Sequence, residues 1–269
     1  MVKRKKSRSD FTKPKKWFWG LFFLGFCTIP IIFVLASFGV FGTMPDHTTL
    51  ENPSTNLATE IISSDGVTLG KFYFEDNRTP IEYNELPKHL IDALIATEDY
   101  RYSDHSGIDA KGTLRAIYKL GKGGGGSTIS QQLAKQLFHG EGSRQTFGRI
   151  TQKIKEWIIA IRLEKQYTKE EIIAQYFNIY DFGNNADGIR SAARIYFGKE
   201  PSALNITESA MLVGMFKNSS LYNPRPKRNP IGTRNRRNVV LSQMFKSVSY
   251  THLRAHETRG NLVCRLLRE

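Results

Sequence analysis

Three stretches of this sequence combine residue types that can do chemistry. The first is Glu98-Asp99-Tyr100-Arg101-Tyr102-Ser103-Asp104-His105-Ser106-Gly107-Ile108-Asp109. Leu90, Leu94 and Glu98 stand at i, i+4 and i+8, so Glu98 prolongs the apolar stripe of a helix. A carboxylate there is expected to be partly desolvated and more basic than usual. That suits a general base working near neutral pH. The plainer alternative is a surface glutamate at a fraying helix end. A single histidine such as His105 is more often structural than catalytic, and no H-E-x-x-H or comparable spacing points to zinc.

The second stretch is Gly123-Gly124-Gly125-Gly126-Ser127-Thr128-Ile129-Ser130-Gln131-Gln132-Leu133-Ala134-Lys135. Glycines running into a helix start offer free N–H groups and the positive end of the helix dipole, a natural anion site. No Gly-Lys-Ser/Thr closes the run, so it is not a nucleotide P-loop. Ser127, Thr128, Gln131, Gln132 and Lys135 fall on neighbouring helical faces and form a polar strip suited to phosphate or sugar. The alternative is a flexible loop with an ordinary cap. The third stretch is Arg149-Ile150-Thr151-Gln152-Lys153-Ile154-Lys155-Glu156-Trp157. Lys153 and Glu156 share a face opposite an Ile150/Ile154/Trp157/Ile158/Ile161 stripe, which otherwise reads as a solvated helix face. Lys135, Arg144, Arg149 and Lys153 together have the charge to hold a pyrophosphate.

These stretches need a scaffold, and the pattern predicts a mainly helical one. Lys88–Thr97, Gln131–Phe138, the Ile150–Ile161 stripe and Asn235–Lys246 carry helical spacing. Thr168-Lys169-Glu170-Glu171 and Asn205-Ile206-Thr207-Glu208 are helix starts with capping-box chemistry. One β element precedes them: Glu60-Ile61-Ile62, a Ser64-Asp65-Gly66 turn and Val67-Thr68-Leu69, with Lys71–Phe74 extending the second strand. The chain has 269 residues, 40% apolar and 24% charged, enough for a substantial core. Two cysteines exclude a disulfide framework or a Cys-rich zinc module.

The net charge of +14 would invite a nucleic-acid reading, but its distribution argues otherwise. Residues 1–16 carry eight Lys/Arg against Asp10. Trp17–Gly42 follows without a charged residue, 26 positions long. As a helix it would extend roughly 39 Å at about 1.5 Å per residue, enough to span a bilayer with tilt. Trp17 and Trp19 stand where interfacial aromatics anchor, and Pro30 is a tolerated kink site. A cleaved signal peptide is the weaker alternative, because the run is long and lacks an A-x-A site. The expected layout is a basic cytoplasmic tail (1–16), a transmembrane helix (17–42), a linker (43–57), an extracytoplasmic catalytic domain (58–246) and a distinct tail (247–269). That tail has no clear period and looks like translated sequencing-adapter read-through, so the natural chain is expected to have been cut near Lys246.

In this order, the motifs resemble the peptidoglycan glycosyltransferase domain (glycosyltransferase family 51) of class A penicillin-binding proteins. The first stretch is similar to E-D-x-x-F-x-x-H-x-G, with Tyr102 in place of Phe. The second is similar to G-x-S-T-I-x-Q-Q-x-x-K-N, with Gln136 in place of Asn. The third resembles R-K-x-x-E, with Gln152 in the Arg position and Lys153 and Glu156 matching. Glu171–Tyr180 and Glu208–Gly214, the latter running on to Tyr222-Asn223-Pro224, resemble the last two motifs. The resemblance covers about residues 58–246.

It implies a lysozyme-like, mostly helical fold with a membrane-facing apolar jaw, for which Phe72, Phe74, Phe216 and Leu221 are candidates. It implies polymerisation of lipid II with inversion and release of undecaprenyl pyrophosphate. Glu98 would be the base and Glu156 the second acidic residue. Asp99, Tyr102, His105, Gly107, Ser127, Thr128, Gln131, Gln132, Lys135, Arg144, Arg149 and Lys153 would bind substrate. No cofactor is certain, although a divalent cation, Mg or Mn, is conceivable at the pyrophosphate. The implied partners are lipid II, nascent glycan, the bilayer and the cell-wall synthesis machinery, not nucleic acid. The implied location is the bacterial cytoplasmic membrane. The chain contains no S-x-x-K or K-T-G, so no transpeptidase activity is expected of it. A lysozyme-like glycan-cleaving enzyme and an inactive membrane scaffold fragment remain the alternatives.

Overall fold

A computed structural model describes residues 12–40, 44–45, 59–65, 68–72, 78–118, 125–138, 146–224 and 229–255. Most of the basic tail and linker, Gly66, Val67, Phe74, Gly123, Gly124, Arg144 and residues 256–269 lie outside them. Helix predominates. Helix α1 spans Thr12–Ser37. Its 21-residue Trp17–Ser37 segment reaches mean hydropathy 2.3 over an 18-residue window and is the one helix among the described residues apolar and long enough to cross a membrane. The charge-free run continues to Gly42, but the helix stops earlier. Gly39 takes φ 79° and its N–H donates back to the Ala36 carbonyl at 3.0 Å, a left-handed stop that only glycine adopts freely.

Strands β1 (Thr59–Ile62) and β2 (Thr68–Phe72) form the expected antiparallel hairpin. Thr59 pairs with Phe72 and Ile61 with Gly70, and the register shifts between Ile61 and Ile62. The helices α2 (Lys88–Glu98), α3 (Ala110–Tyr118), α4 (Ile129–Phe138), α5 (Thr146–Gln166), α6 (Lys169–Ile179), α7 (Gly188–Phe197), α8 (Ile206–Met215) and α9 (Pro230–Ala255) follow. Both predicted capping boxes form: the side chains of Thr168 and Asn205 accept from the N–H groups of Glu171 and Glu208. Helix α9 opens at Pro230, where a missing N–H does no harm, and continues past Lys246 to Ala255.

The core lies where α2, α8 and α9 pack together and where α4 packs on α5 and α6. Leu90 and Leu94 of α2, Leu133 of α4, Ile159 and Leu163 of α5, and Ile172 and Phe177 of α6 are fully buried. Burying each such side chain contributes about 1.5–3 kcal/mol before the entropy of ordering is subtracted. Phe216, a candidate for the membrane-facing jaw and equally for the core, is 8% exposed and is the hub of an aromatic cluster. Tyr176 stacks on it at 4.7 Å, and Tyr180 and Phe182 meet it edge-on at 4.4 and 5.4 Å. Leu221, by contrast, is exposed.

Helix α5 differs from its sequence reading in a way that matters for the site. The face buried in the core is that of Ile159, Ala160 and Leu163, together with Glu156 at 5% exposure. Ile150 is exposed, and Trp157 stacks at 5.9 Å on Phe33 of α1. Arg162 adds a hydrogen bond to the Pro45 carbonyl at 3.3 Å. Part of the apolar stripe therefore serves the N-terminal helix, and the supposedly solvated face carries a buried acid.

Gly107 fixes how the loop after α2 meets α5. Its φ is +87°, and a Cβ there would stand 2.9 Å from the backbone carbon and oxygen of Ala160. Gly107→Ala is therefore expected to destabilise the fold by about 2 kcal/mol or more, lowering the thermal midpoint by about 5 °C. An unchanged melting curve would show that this approach is not tight.

Candidate functional site

Glu98 is the last residue of α2 and Asp99 the first beyond it. Asp99 leaves helical geometry at φ −156°, ψ 72°, so the two neighbouring carboxylates point to different places. Glu98 lines a small open cleft together with Asp99, Tyr100, Asp109, Gly112, Arg115, Gly125, Gly126, Ser127 and Thr128. Asp99 turns inward and is 6% exposed. His105 Nε2 lies 3.0 Å from each of its oxygens, and the Ile129 N–H at the start of α4 donates to Oδ2 at 3.2 Å.

The glycine-rich stretch was expected to present its helix start to a bound anion. In the structure the anion at that point is the protein's own Asp99. The next turn is closed as well, because Thr128 Oγ1 accepts from the Gln131 N–H at 3.2 Å. Thr128 and Gln131 are both about 1% exposed. Their side chains donate to the Gly107 carbonyl at 2.7 and 3.2 Å respectively. Tyr102 is buried too. Its hydroxyl donates to the Lys169 carbonyl at 2.9 Å, and the Lys169 ammonium sits 4.2 Å over its ring. Burial, with the charges of Glu164 and Asp99 behind it, holds the Tyr102 phenol well above its ordinary range. Asp99, Tyr102, His105, Gly107, Thr128 and Gln131 thus form one internally bonded frame.

Other residues of the predicted set meet Glu98 and Ser127, which line the cleft. Gln132 Nε2 donates to Glu98 Oε2 at 3.1 Å, and its own amide oxygen accepts from the Tyr176 hydroxyl at 2.6 Å. Lys153 Nζ donates to Ser127 Oγ at 2.7 Å and to Glu156 Oε2 at 3.0 Å. Gln152 Nε2 donates to Glu156 Oε1 at 3.3 Å. The glutamine that replaces the expected arginine therefore still orients Glu156. Lys135 and Arg149 are exposed on α4 and α5. Arg144 lies outside the described residues.

Two partners of the site were not anticipated from sequence. Arg236 of α9 places Nη2 3.5 Å from Glu98 Oε1, with both side chains largely buried. Tyr100 on the cleft wall carries the guanidinium groups of Arg101 and Arg115 at 5.2 and 5.7 Å from its ring. Arg101 also pairs with Asp109. Burial alone would raise the Asp109 carboxyl, but hydrogen bonds from Arg101 and the Gly112 N–H outweigh it and hold it below the usual range.

A divalent cation, conceivable at the pyrophosphate, would meet a Glu156 that is already engaged. Both Glu156 oxygens already accept hydrogen bonds, one of them from an ammonium group that would repel a metal. Among the described residues no three His, Cys, Asp or Glu side chains converge.

Comparison with known proteins adds an independent line. The model of the family described as Transglycosylase matches residues 65–245. Penicillin-binding protein 1A of Pseudomonas aeruginosa is 35% identical over 235 residues, covering 86% of this chain and 28% of that protein. Penicillin-binding protein 1F of Bacillus subtilis is 40% identical over 193 residues, covering 70% and 26%. Penicillin-binding protein 1A of Escherichia coli is 35% identical over 224 residues, covering 82% and 25%. The chain spans about a quarter of the length of these relatives. The crystal structure of penicillin-binding protein 1A from Haemophilus influenzae aligns at 24% identity and TM-score 0.37, over 73% of this chain and 19% of that one.

The internal frame makes a stability prediction. Asp99→Ala leaves the His105 ring and the Ile129 N–H without their buried acceptor and is expected to cost about 3 kcal/mol in chemical denaturation. Ser127→Ala, at the half-exposed rim, is expected to change stability by less than about 0.5 kcal/mol. Equal effects of the two substitutions would contradict the division between frame and rim.

Proposed function

The chain belongs to the transglycosylase family, and from that premise we propose that it is a peptidoglycan glycosyltransferase that lengthens glycan strands from lipid II. The observation that carries this reading is Glu98. It is a carboxylate at a cleft, held by the Gln132 amide, with Lys153 and Glu156 of α5 bonded to each other and Lys153 to Ser127 just before α4. Glu98 takes the proton from the acceptor sugar 4-hydroxyl. The freed oxygen bonds to the anomeric carbon of the donor as its bond to pyrophosphate breaks, with inversion. Undecaprenyl pyrophosphate leaves with the electron pair.

A departing pyrophosphate needs cations. Lys153 is the best-placed one, because Ser127 and Glu156 fix its ammonium. Lys135 and Arg149, with Arg144, supply further positive charge. We assign Asp99, Tyr102, His105, Gly107, Thr128 and Gln131 to positioning rather than substrate contact, since their hydrogen bonds are internal. No step is routed through a metal ion.

The same proposal anchors the protein by α1 in the bacterial cytoplasmic membrane, with the basic tail inside and the helical body outside. The apolar Trp17–Ser37 segment and the flanking charge asymmetry support it. A lipid-borne substrate and the cell-wall machinery are then the natural partners. The domain proposed to do this work is residues 58–246.

The test is glycan synthesis from labelled lipid II in liposomes. The wild-type chain is expected to give long strands. Glu98→Gln is expected to reduce the rate at least about 100-fold with the fold intact, and Lys153→Ala to lower kcat more than it raises KM. Strands made equally well by Glu98→Gln, or shortening of added glycan, would overturn the assignment.

A further inference from the structure

Glu98 is held from two sides, and only one of them belongs to a recognised motif. Gln132 donates to Oε2, and its orientation is set by Tyr176, whose hydroxyl occupies the amide oxygen and so turns the amide nitrogen toward Glu98. The other side is Arg236. Its Nε donates to the Gly214 carbonyl of α8 at 3.3 Å while Nη2 faces Glu98 Oε1. The approach depends on Gly214, because a Cβ there would stand 3.2 Å from Arg236 Cγ. The side chains of Arg236 and Glu98 are 14% and 17% exposed, so water screens the pair weakly.

We propose that Arg236 is a positioning residue for the base: it holds the Glu98 carboxylate aimed at the cleft before the acceptor arrives. The inference rests on the reading of Glu98 as the base. A partly buried carboxylate tends to take up a proton, and a guanidinium beside it opposes this. Other groups around Glu98 do not do the same work. Tyr176 and Tyr180 of α6 are held above their ordinary range by burial and, less, by neighbouring acids including Glu98, so they stay neutral. Asp99 is turned away to His105. Asp109 and Arg115 line the far side of the cleft, and Asp109 is paired with Arg101. Among the described residues, Arg236 is the cation that ion-pairs with Glu98.

The sign of the effect follows. Taking a guanidinium away from a carboxylate disfavours the charged form, so activity that needs the carboxylate is expected to be lost first at low pH. For Arg236→Gln, the acid limb of kcat/KM for lipid II is expected to move up by about one pH unit or more. The rate deficit is expected to be largest at low pH and to narrow as pH rises, with KM unchanged. Arg236→Lys keeps the charge and is expected to keep the wild-type limb. A profile for Arg236→Gln that overlays the wild type, or falls by the same factor at every pH, overturns the inference and marks Arg236 as structural.

A second readout separates this inference from the assignment of the reaction. The Glu98 carboxyl is followed by NMR in isotope-labelled full-length protein, its resonance identified by its loss in Glu98→Gln. Its titration midpoint is expected to rise in Arg236→Gln whether or not the chain polymerises lipid II. An unmoved midpoint overturns the positioning role. Absence of polymer from the wild type with a moved midpoint overturns only the proposed reaction.

Discussion

The site depends on one buried carboxylate. Asp99 accepts from His105 and from the first N–H of α4, and so joins the end of α2, the loop through Gly107 and the start of α4 at a single point. A helix start carries partial positive charge and unsatisfied donors, and a buried carboxylate needs donors. Each satisfies the other. Once α4 is seated this way, Gln132 faces Glu98 and Ser127 faces Lys153 without further adjustment. Thr128 and Gln131 close the same junction by bonding to the Gly107 carbonyl, and Gly107 lets that junction rest directly on the backbone of α5.

The chemistry of the rim follows from that seating. The three motif stretches are far apart in the chain, yet they meet through hydrogen bonds of ordinary length. Lys153 is held between a hydroxyl and a carboxylate, so its ammonium is directed rather than free to wander. Glu156 accepts from Gln152 and Lys153 and is nearly buried, which fits an orienting acid better than a proton carrier. The cleft wall adds Arg115 and a tyrosine flanked by two guanidinium groups, a surface that combines positive charge with a flat apolar face.

Local features were legible in the sequence because local physics sets them. The capping boxes at Thr168 and Asn205, the paired strands β1 and β2 and the apolar spacing that brings Glu98 to a helix end all depend on residues close in the chain. The features that were missed depend on distant partners. Nothing near Arg236 says that it will meet Glu98, since the contact exists only once α8 and α9 are packed and Gly214 leaves room. Nor did the pattern reveal that the helix start at Ile129 would be taken by Asp99. The α5 stripe misled for a related reason: Trp157 packs on α1, so apolar character marked a neighbouring helix rather than the core. Glu156 could have been suspected from its position one turn before Ile159 and two turns before Leu163 on the inward face, had that face been identified.

Adjacent acids at the end of α2 have opposite fates, and the boundary of the helix alone separates them. One more residue of helix would rotate the second carboxylate out of the interior, and one fewer would pull the first away from the cleft. The register of α2 is in turn fixed by Leu90 and Leu94 in the core. Inserting or deleting a single residue between Leu94 and Asp99 would therefore exchange a foundation for a tool. The two positions behave as one indivisible unit, and neither can be moved to another scaffold without carrying the end of its helix along.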